Sequence, residues 1–115
     1  MFEFQIIPGE EKTQVAFKGD MDIEITEVME EEILPALQQY PCVEINFSQV
    51  PFVDSTGIGL FINLVEKLKE NNVRIQITHL CPQVSEIFDL LQIPDILGRE
   101  IFVDHPSINP GSLTP

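Results

Sequence analysis

The stretch Cys42-Val43-Glu44-Ile45-Asn46-Phe47-Ser48-Gln49-Val50-Pro51-Phe52-Val53-Asp54-Ser55-Thr56-Gly57-Ile58-Gly59 changes its apolar period once. Val43, Ile45 and Phe47 alternate with polar neighbours, as one face of a strand does. From Ser55 to Asn72 the period lengthens. Ile58, Phe61, Ile62, Val65 and Leu68 recur at the spacings of one helical face, with Glu66, Lys67, Lys69 and Glu70 left for solvent. Asn71-Asn72 stops this helix, and Val73-Arg74-Ile75-Gln76-Ile77-Thr78 alternates as a second strand. A strand, a helix and a strand in this order predict parallel pairing through a right-handed crossover.

Toward the N-terminus, Phe2 to Ile7 and Thr13 to Lys18 flank the turn dipeptide Pro8-Gly9 and predict an antiparallel hairpin. Gly19-Asp20 breaks the second strand. The acidic residues Glu27 and Glu30 to Glu32 suit the positive end of a helix, for which Thr26 is the expected N-cap. Pro35 falls inside that helix, where lost hydrogen bonding and a steric clash cost ~3 kcal/mol, so a kink or restart is expected there. Toward the C-terminus, Pro82 opens a third helix through Val84, Ile87, Phe88 and Leu91, Pro94 ends it, and Ile101-Phe102-Val103 forms a short last strand. The expectation is one α/β domain over residues 1–105, a mixed and mostly parallel β-sheet with helices packed mainly on one face. Residues 106–115, rich in Pro, Ser and Gly, are expected to be a disordered tail.

Composition narrows the function classes. The 115 residues suit one domain, and a hydrophobic fraction of 43 % with 22 % charged residues is that of a folding chain. Nineteen acidic against six basic residues give a formal charge of −13. Such a surface repels nucleic-acid phosphate and anionic headgroups, so neither nucleic acid nor a membrane is an expected partner, whereas a basic patch on a protein would be steered toward it. No apolar run approaches the roughly 18 residues of a membrane span, and Met1-Phe2-Glu3-Phe4 opens no secretory signal. The two cysteines, Cys42 and Cys81, lack C-x-x-C spacing and are expected to be small buried hydrophobes in a reducing, cytoplasmic compartment.

Catalytic constellations are scarce in the sequence. His79 and His105 lie in no metal-binding pattern, no G-x-G-x-x-G or G-x-x-x-x-G-K offers a phosphate cradle, and Ser55 lacks the leading glycine of a nucleophile elbow. No catalytic residue, metal or cofactor is expected, and the chain is not expected to be an enzyme. What remains is Asp54-Ser55-Thr56-Gly57-Ile58-Gly59, where an apolar segment turns abruptly into a helix. A purely structural role is available, with Asp54 or Ser55 as the helix cap. Yet two glycines in the first turns cost ~0.8–1.0 kcal/mol each relative to alanine, which suggests that something approaches the backbone closely there.

Three segments carry a family resemblance: Gly19-Asp20-Met21-Asp22, Val43-Glu44-Ile45-Asn46-Phe47-Ser48 and Phe52-Val53-Asp54-Ser55-Thr56-Gly57-Ile58-Gly59. In this order they resemble the STAS domain, and within it the bacterial anti-sigma factor antagonists, over about residues 3 to 104. The resemblance implies that Ser55 is phosphorylated by an anti-sigma factor with serine kinase activity and that Asp22 and Asp54 flank its hydroxyl. It implies a partner-binding surface of Asp22, Ile23, Asp54, Ser55, Thr56, Gly57 and Gly59, partner switching that controls a sigma factor, and a phosphatase that restores the unmodified serine. Asp20 in place of the commoner Glu, Asn46 in place of Asp, and Pro35 depart from the family pattern. Two alternatives act by docking without a phosphate cycle: a STAS subunit of a membrane-lipid transport assembly, and a stress-sensing scaffold.

Overall fold

The computed structural model describes residues 2–103, so the expected tail at 106–115 and His105 lie outside the described residues. Four strands form one sheet in the order β1-β2-β3-β4, with β1 at Glu3–Ile7, β2 at Thr13–Lys18, β3 at Cys42–Gln49 and β4 at Arg74–Thr78. β1 and β2 pair antiparallel as the hairpin requires, while β2-β3 and β3-β4 are parallel. Val15 and Phe17 of β2, Val43, Ile45 and Phe47 of β3, and Ile75 and Ile77 of β4 are buried on one face. Their neighbours Gln14, Lys18 and Arg74 are exposed on the other. The helices therefore cover one face of a mixed, mostly parallel sheet.

The crossover from β2 to β3 is a helical segment of mixed pitch, α1 (residues 23–37). A 3-10 turn at Ile23–Ile25 passes into an α turn at Thr26–Val28, a π turn at Met29–Ile33 and an α turn at Leu34–Leu37. Pro35 neither breaks nor restarts it. In the π turn the Leu34 N–H reaches back to the Met29 carbonyl, and this widened turn precedes the ring that an unbroken α-helix would force against residue 31. Thr26 is not the cap. The segment begins earlier, with Asp22 Oδ1 accepting from the Glu24 N–H at 3.0 Å, and the Thr26 hydroxyl donates to the Ile23 carbonyl.

The long helix α2 (Ser55–Glu70) buries Gly57, Ile58, Phe61, Leu64, Val65 and Leu68. Ile62, read from the sequence as part of that face, is only half-buried, and Leu64 takes the position instead. Asn72, at φ 63°, supplies the left-handed residue that ends the helix, a conformation asparagine tolerates. Helix α3 (Pro82–Leu90) stops before Pro94. The break comes at Gln92, also left-handed at φ 59°, and Pro94 instead opens a further short helix, α4 (Ile93–Leu97), where the missing N–H costs nothing. The expected last strand is reduced to a 3-10 turn, Arg99–Ile101, and a single parallel bridge from Phe102 to Ile77. Cys42 and Cys81 are half-buried rather than buried, and the Cys81 thiol faces the Phe47 and Ser48 carbonyls.

Candidate functional site

Two loops at the ends of β2 and β3 are sewn together. The Gly19 N–H donates to the Gln49 carbonyl at 2.9 Å and the Met21 N–H to the Phe52 carbonyl at 3.0 Å. The Asp54 N–H returns to the Met21 carbonyl at 3.2 Å, and Met21 and Val53 form a parallel bridge. The β2-β3 pairing thus continues past the strand ends, anchored by Met21 and Val53, which are 0 % and 3 % exposed. Met21 is the site residue that composition did not single out. Its only sequence signal is its place inside Gly19-Asp20-Met21-Asp22.

Between the two caps left open by the sequence, the structure selects Asp54. Its backbone is extended, its Oδ1 accepts from the Gly57 N–H at 2.8 Å, and its carbonyl accepts from the Ile58 N–H at 2.9 Å. Ser55 and Thr56 then occupy the first two helical positions with exposed side chains, and neither hydroxyl is hydrogen-bonded among the described residues. Because a carboxylate makes the cap, the Ser55 hydroxyl is not spent on the helix and lies beside the positive end of α2.

The two glycines have opposite reasons. A Cβ on Gly57 would lie 1.9 Å from the Met21 carbonyl oxygen, whereas one on Gly59 meets nothing within 4 Å. Gly57 is buried, so the close approach expected at its backbone is an intramolecular one, made by the Met21 carbonyl, and Gly57 offers no surface to the partner the sequence reading gave it. Gly59 is exposed. Gly57→Ala is therefore expected to destabilise, since overpacking against backbone at about 1–3 kcal/mol outweighs the helix-propensity gain of ~1 kcal/mol. Gly59→Ala is expected to gain about 0.5–1 kcal/mol from propensity alone. Urea denaturation of both variants checks the opposite signs.

Asp22 and Ile23 follow directly on Met21. Asp22 is half-buried and Ile23 is 66 % exposed, while Phe52 on the opposing loop is 48 % exposed. Phe2, Asp20, Asp22, Glu24, Ile25 and Val28 line a cavity of about 420 Å³ beside the loops. Residues 19–42 carry Asp20, Asp22, Glu24, Glu27, Glu30, Glu31 and Glu32 and no lysine or arginine. The site is thus an exposed serine and threonine beside two exposed apolar side chains on an acidic ground. Among the described residues, no group of three or more His, Cys, Asp or Glu is placed to hold a metal ion. No described helix is long and apolar enough to cross a membrane.

A family model described as STAS domain matches residues 2–107. The anti-sigma-B factor antagonist of Staphylococcus epidermidis is 27 % identical over 85 residues, 73 % of this chain and 79 % of that protein. The anti-sigma-B factor antagonist of Bacillus subtilis is 26 % identical over 89 residues, 77 % of this chain and 82 % of that one. Among solved structures, the anti-sigma factor antagonist SpoIIAA in its unphosphorylated form superposes with a TM-score of 0.67 at 22 % identity, covering 96 % of both chains. A sulfate transporter family protein from Wolinella succinogenes gives 0.71 at 14 % identity over 88 % of this chain and 82 % of that one. Likeness at these identities shows a shared fold.

Proposed function

The chain belongs to the STAS domain family, and on that premise we propose that it is an anti-sigma factor antagonist, a regulatory protein that works by partner switching. The observation that carries the proposal is the exposed, uncommitted hydroxyl of Ser55 at the first position of α2, next to a cap made by Asp54. The names of the similar proteins from Staphylococcus epidermidis and Bacillus subtilis support the same reading. Unmodified, the surface of Asp22, Ile23, Asp54, Ser55, Thr56 and Gly59 captures an anti-sigma factor with serine kinase activity and frees a sigma factor. The chain is then that kinase's substrate, needs no cofactor, and is returned to the binding form by a phosphatase.

The chemistry of the switch follows from the position. Phosphorylation adds roughly −1.5 to −2 charges at neutral pH. The free N–H groups and dipole at the start of α2 favour that charge, so the domain keeps its fold. A partner packed over Ser55 has to bury it, beside Asp54 and near Asp22. Asp22 is read as orienting the hydroxyl or meeting a basic group of the kinase, in addition to its observed role as the cap of α1.

Incubation with the cognate kinase and ATP, followed by mass spectrometry of the segment from Phe52 to Lys67, tests the proposal. A single phosphate on Ser55 is expected, and its placement on Thr56 alone would move the switch by one residue. Gly59→Arg supplies the second arm. Because a side chain at Gly59 meets open space, the melting transition should stay within a few degrees of the parent while calorimetric binding to the kinase disappears. Normal binding by Gly59→Arg would place the interface elsewhere.

A further inference from the structure

The Met21 carbonyl oxygen meets the start of α2 at two points. It accepts from the Asp54 N–H at 3.2 Å, and it occupies the place where a side chain on Gly57 would stand, 1.9 Å from an added Cβ. Asp54 and Gly57 are themselves joined, because Asp54 Oδ1 accepts from the Gly57 N–H at 2.8 Å. Carbonyl, cap and glycine thus close a small ring of contacts, and the two residues it spans are Ser55 and Thr56. The oxygen that closes the ring comes from the other loop. It belongs to a residue that is 0 % exposed and whose own N–H is held by the Phe52 carbonyl at 3.0 Å.

Directly after this peptide stand Asp22 and Ile23. Because Met21 and Val53 form a parallel bridge, Asp22 and Asp54 each lie one residue beyond a bridged position. Both backbones are extended there, at φ −137° and −117°, and each carboxylate caps the helix that follows. The two helix starts are therefore set side by side, at the spacing of about 4.8 Å that paired strands keep. On the kinase reading proposed above, on which this rests, we infer that Met21 and Gly57 are positioning residues for the phosphoacceptor. The Met21 carbonyl, seated against a residue without a Cβ, sets where the Ser55 hydroxyl stands relative to Asp22 and Ile23. A kinase that grips Asp22 and Ile23 meets the hydroxyl only where this contact puts it, and a misplacement on the order of 1 Å can cost ~100-fold in rate. Neither positioning residue has to touch the kinase, since both are buried.

Two measurements on the full chain test this. In the parent, native-state amide exchange followed by NMR is expected to show the Met21 and Asp54 amides opening together with equal protection, as two bonds of one contact. This arm needs no variant, so it stands even if Gly57→Ala does not fold. In folded Gly57→Ala, exchange at Asp54 is expected to quicken, and kcat for phosphorylation of Ser55 by the cognate kinase to fall about tenfold or more at saturating protein, where a loss of docking alone would raise KM and spare kcat. Ile62→Ala, a half-buried position further along α2, controls for lost stability and should keep the parent kcat. Independent opening of the two amides, a parent-like kcat in Gly57→Ala, or an equal fall in Ile62→Ala overturns the inference. A parent chain that takes no phosphate on Ser55 overturns the kinase reading and the inference with it, and joint opening of the two amides then shows that the contact itself was not at fault.

Discussion

Truncating Phe61 to alanine is expected to lower the unfolding free energy by about 3–5 kcal/mol. Phe61 is fully buried on α2, and its ring packs edge-on against Phe47 of β3 at 5.2 Å and stacks on Phe88 of α3 at 5.8 Å between centroids. Phe47 and Phe88 also touch each other at 6.2 Å, so the three rings tie the sheet to both helices. The contacts run on from Phe47 to Phe17 and from Phe88 to Phe102. Removing the central ring leaves a space that two rigid neighbours, each held by a further ring, cannot collapse into. Against a total of roughly 5–15 kcal/mol for a domain of this kind, the loss is a large share. Chemical denaturation of Phe61→Ala beside Ile62→Ala decides the matter. The half-buried Ile62 should cost less than half as much, and a Phe61→Ala loss near 1 kcal/mol would show that the core repacks.

The same aromatic positions explain why so much of the fold was legible. Where burial is one-sided and regular, as at Val43, Ile45 and Phe47 or along α2, the apolar period is the structure seen from inside. Segment α1 was harder because its signal is a different period. Ile25, Met29, Ile33 and Leu37 are all buried and stand four apart without exception. In a regular α-helix each step of four advances the stripe by about 40° beyond a full turn, so this row would walk off the core. The π turn at Met29–Ile33 takes up the excess, and Pro35 fits the same widened turn. The strict spacing of four was therefore a readable sign of it. The C-terminal elements depend on left-handed Gln92 and on Gly98 at φ 106°, conformations that Gln92 in particular does not advertise.

At the site, residue type gave the location and packing gave the roles. Asp54-Ser55-Thr56-Gly57-Ile58-Gly59 was recognisable as a helix start, but which of Asp54 and Ser55 caps it depends on the extended backbone at Asp54. Gly57 and Gly59 are indistinguishable in sequence. Only the Met21 carbonyl, brought over by the loop pairing, separates an obligatory glycine from a merely permitted one. The cap assignment in turn bears on the proposed switch, because a serine spent on the helix would be a poor phosphoacceptor.

Replacing Ser55 by aspartate is expected to weaken capture of the anti-sigma kinase a hundredfold or more, while Ser55→Ala retains binding and loses phosphate incorporation. Neither change should disturb the fold. Ser55 is exposed, its hydroxyl makes no hydrogen bond among the described residues, and an acidic side chain in the first helical turn is favourable by about 0.3–1 kcal/mol. The affinity loss is expected only in the complex, where the partner would cover a charge that has Asp54 beside it, with Asp22 next to the paired Met21. An uncompensated buried charge typically costs about 3–5 kcal/mol, and a hundredfold change in Kd needs only about 2.7 kcal/mol. Aspartate carries one charge where phosphate carries nearly two, so the phosphorylated protein should bind more weakly still than Ser55→Asp. Titration calorimetry against the kinase, with the melting transition recorded for each form, orders the four species as parent and Ser55→Ala together, then Ser55→Asp, then the phosphoprotein. Full phosphate incorporation into Ser55→Ala would remove Ser55 from the mechanism, and parent-like binding by Ser55→Asp would mean that the partner leaves this end of α2 open to water.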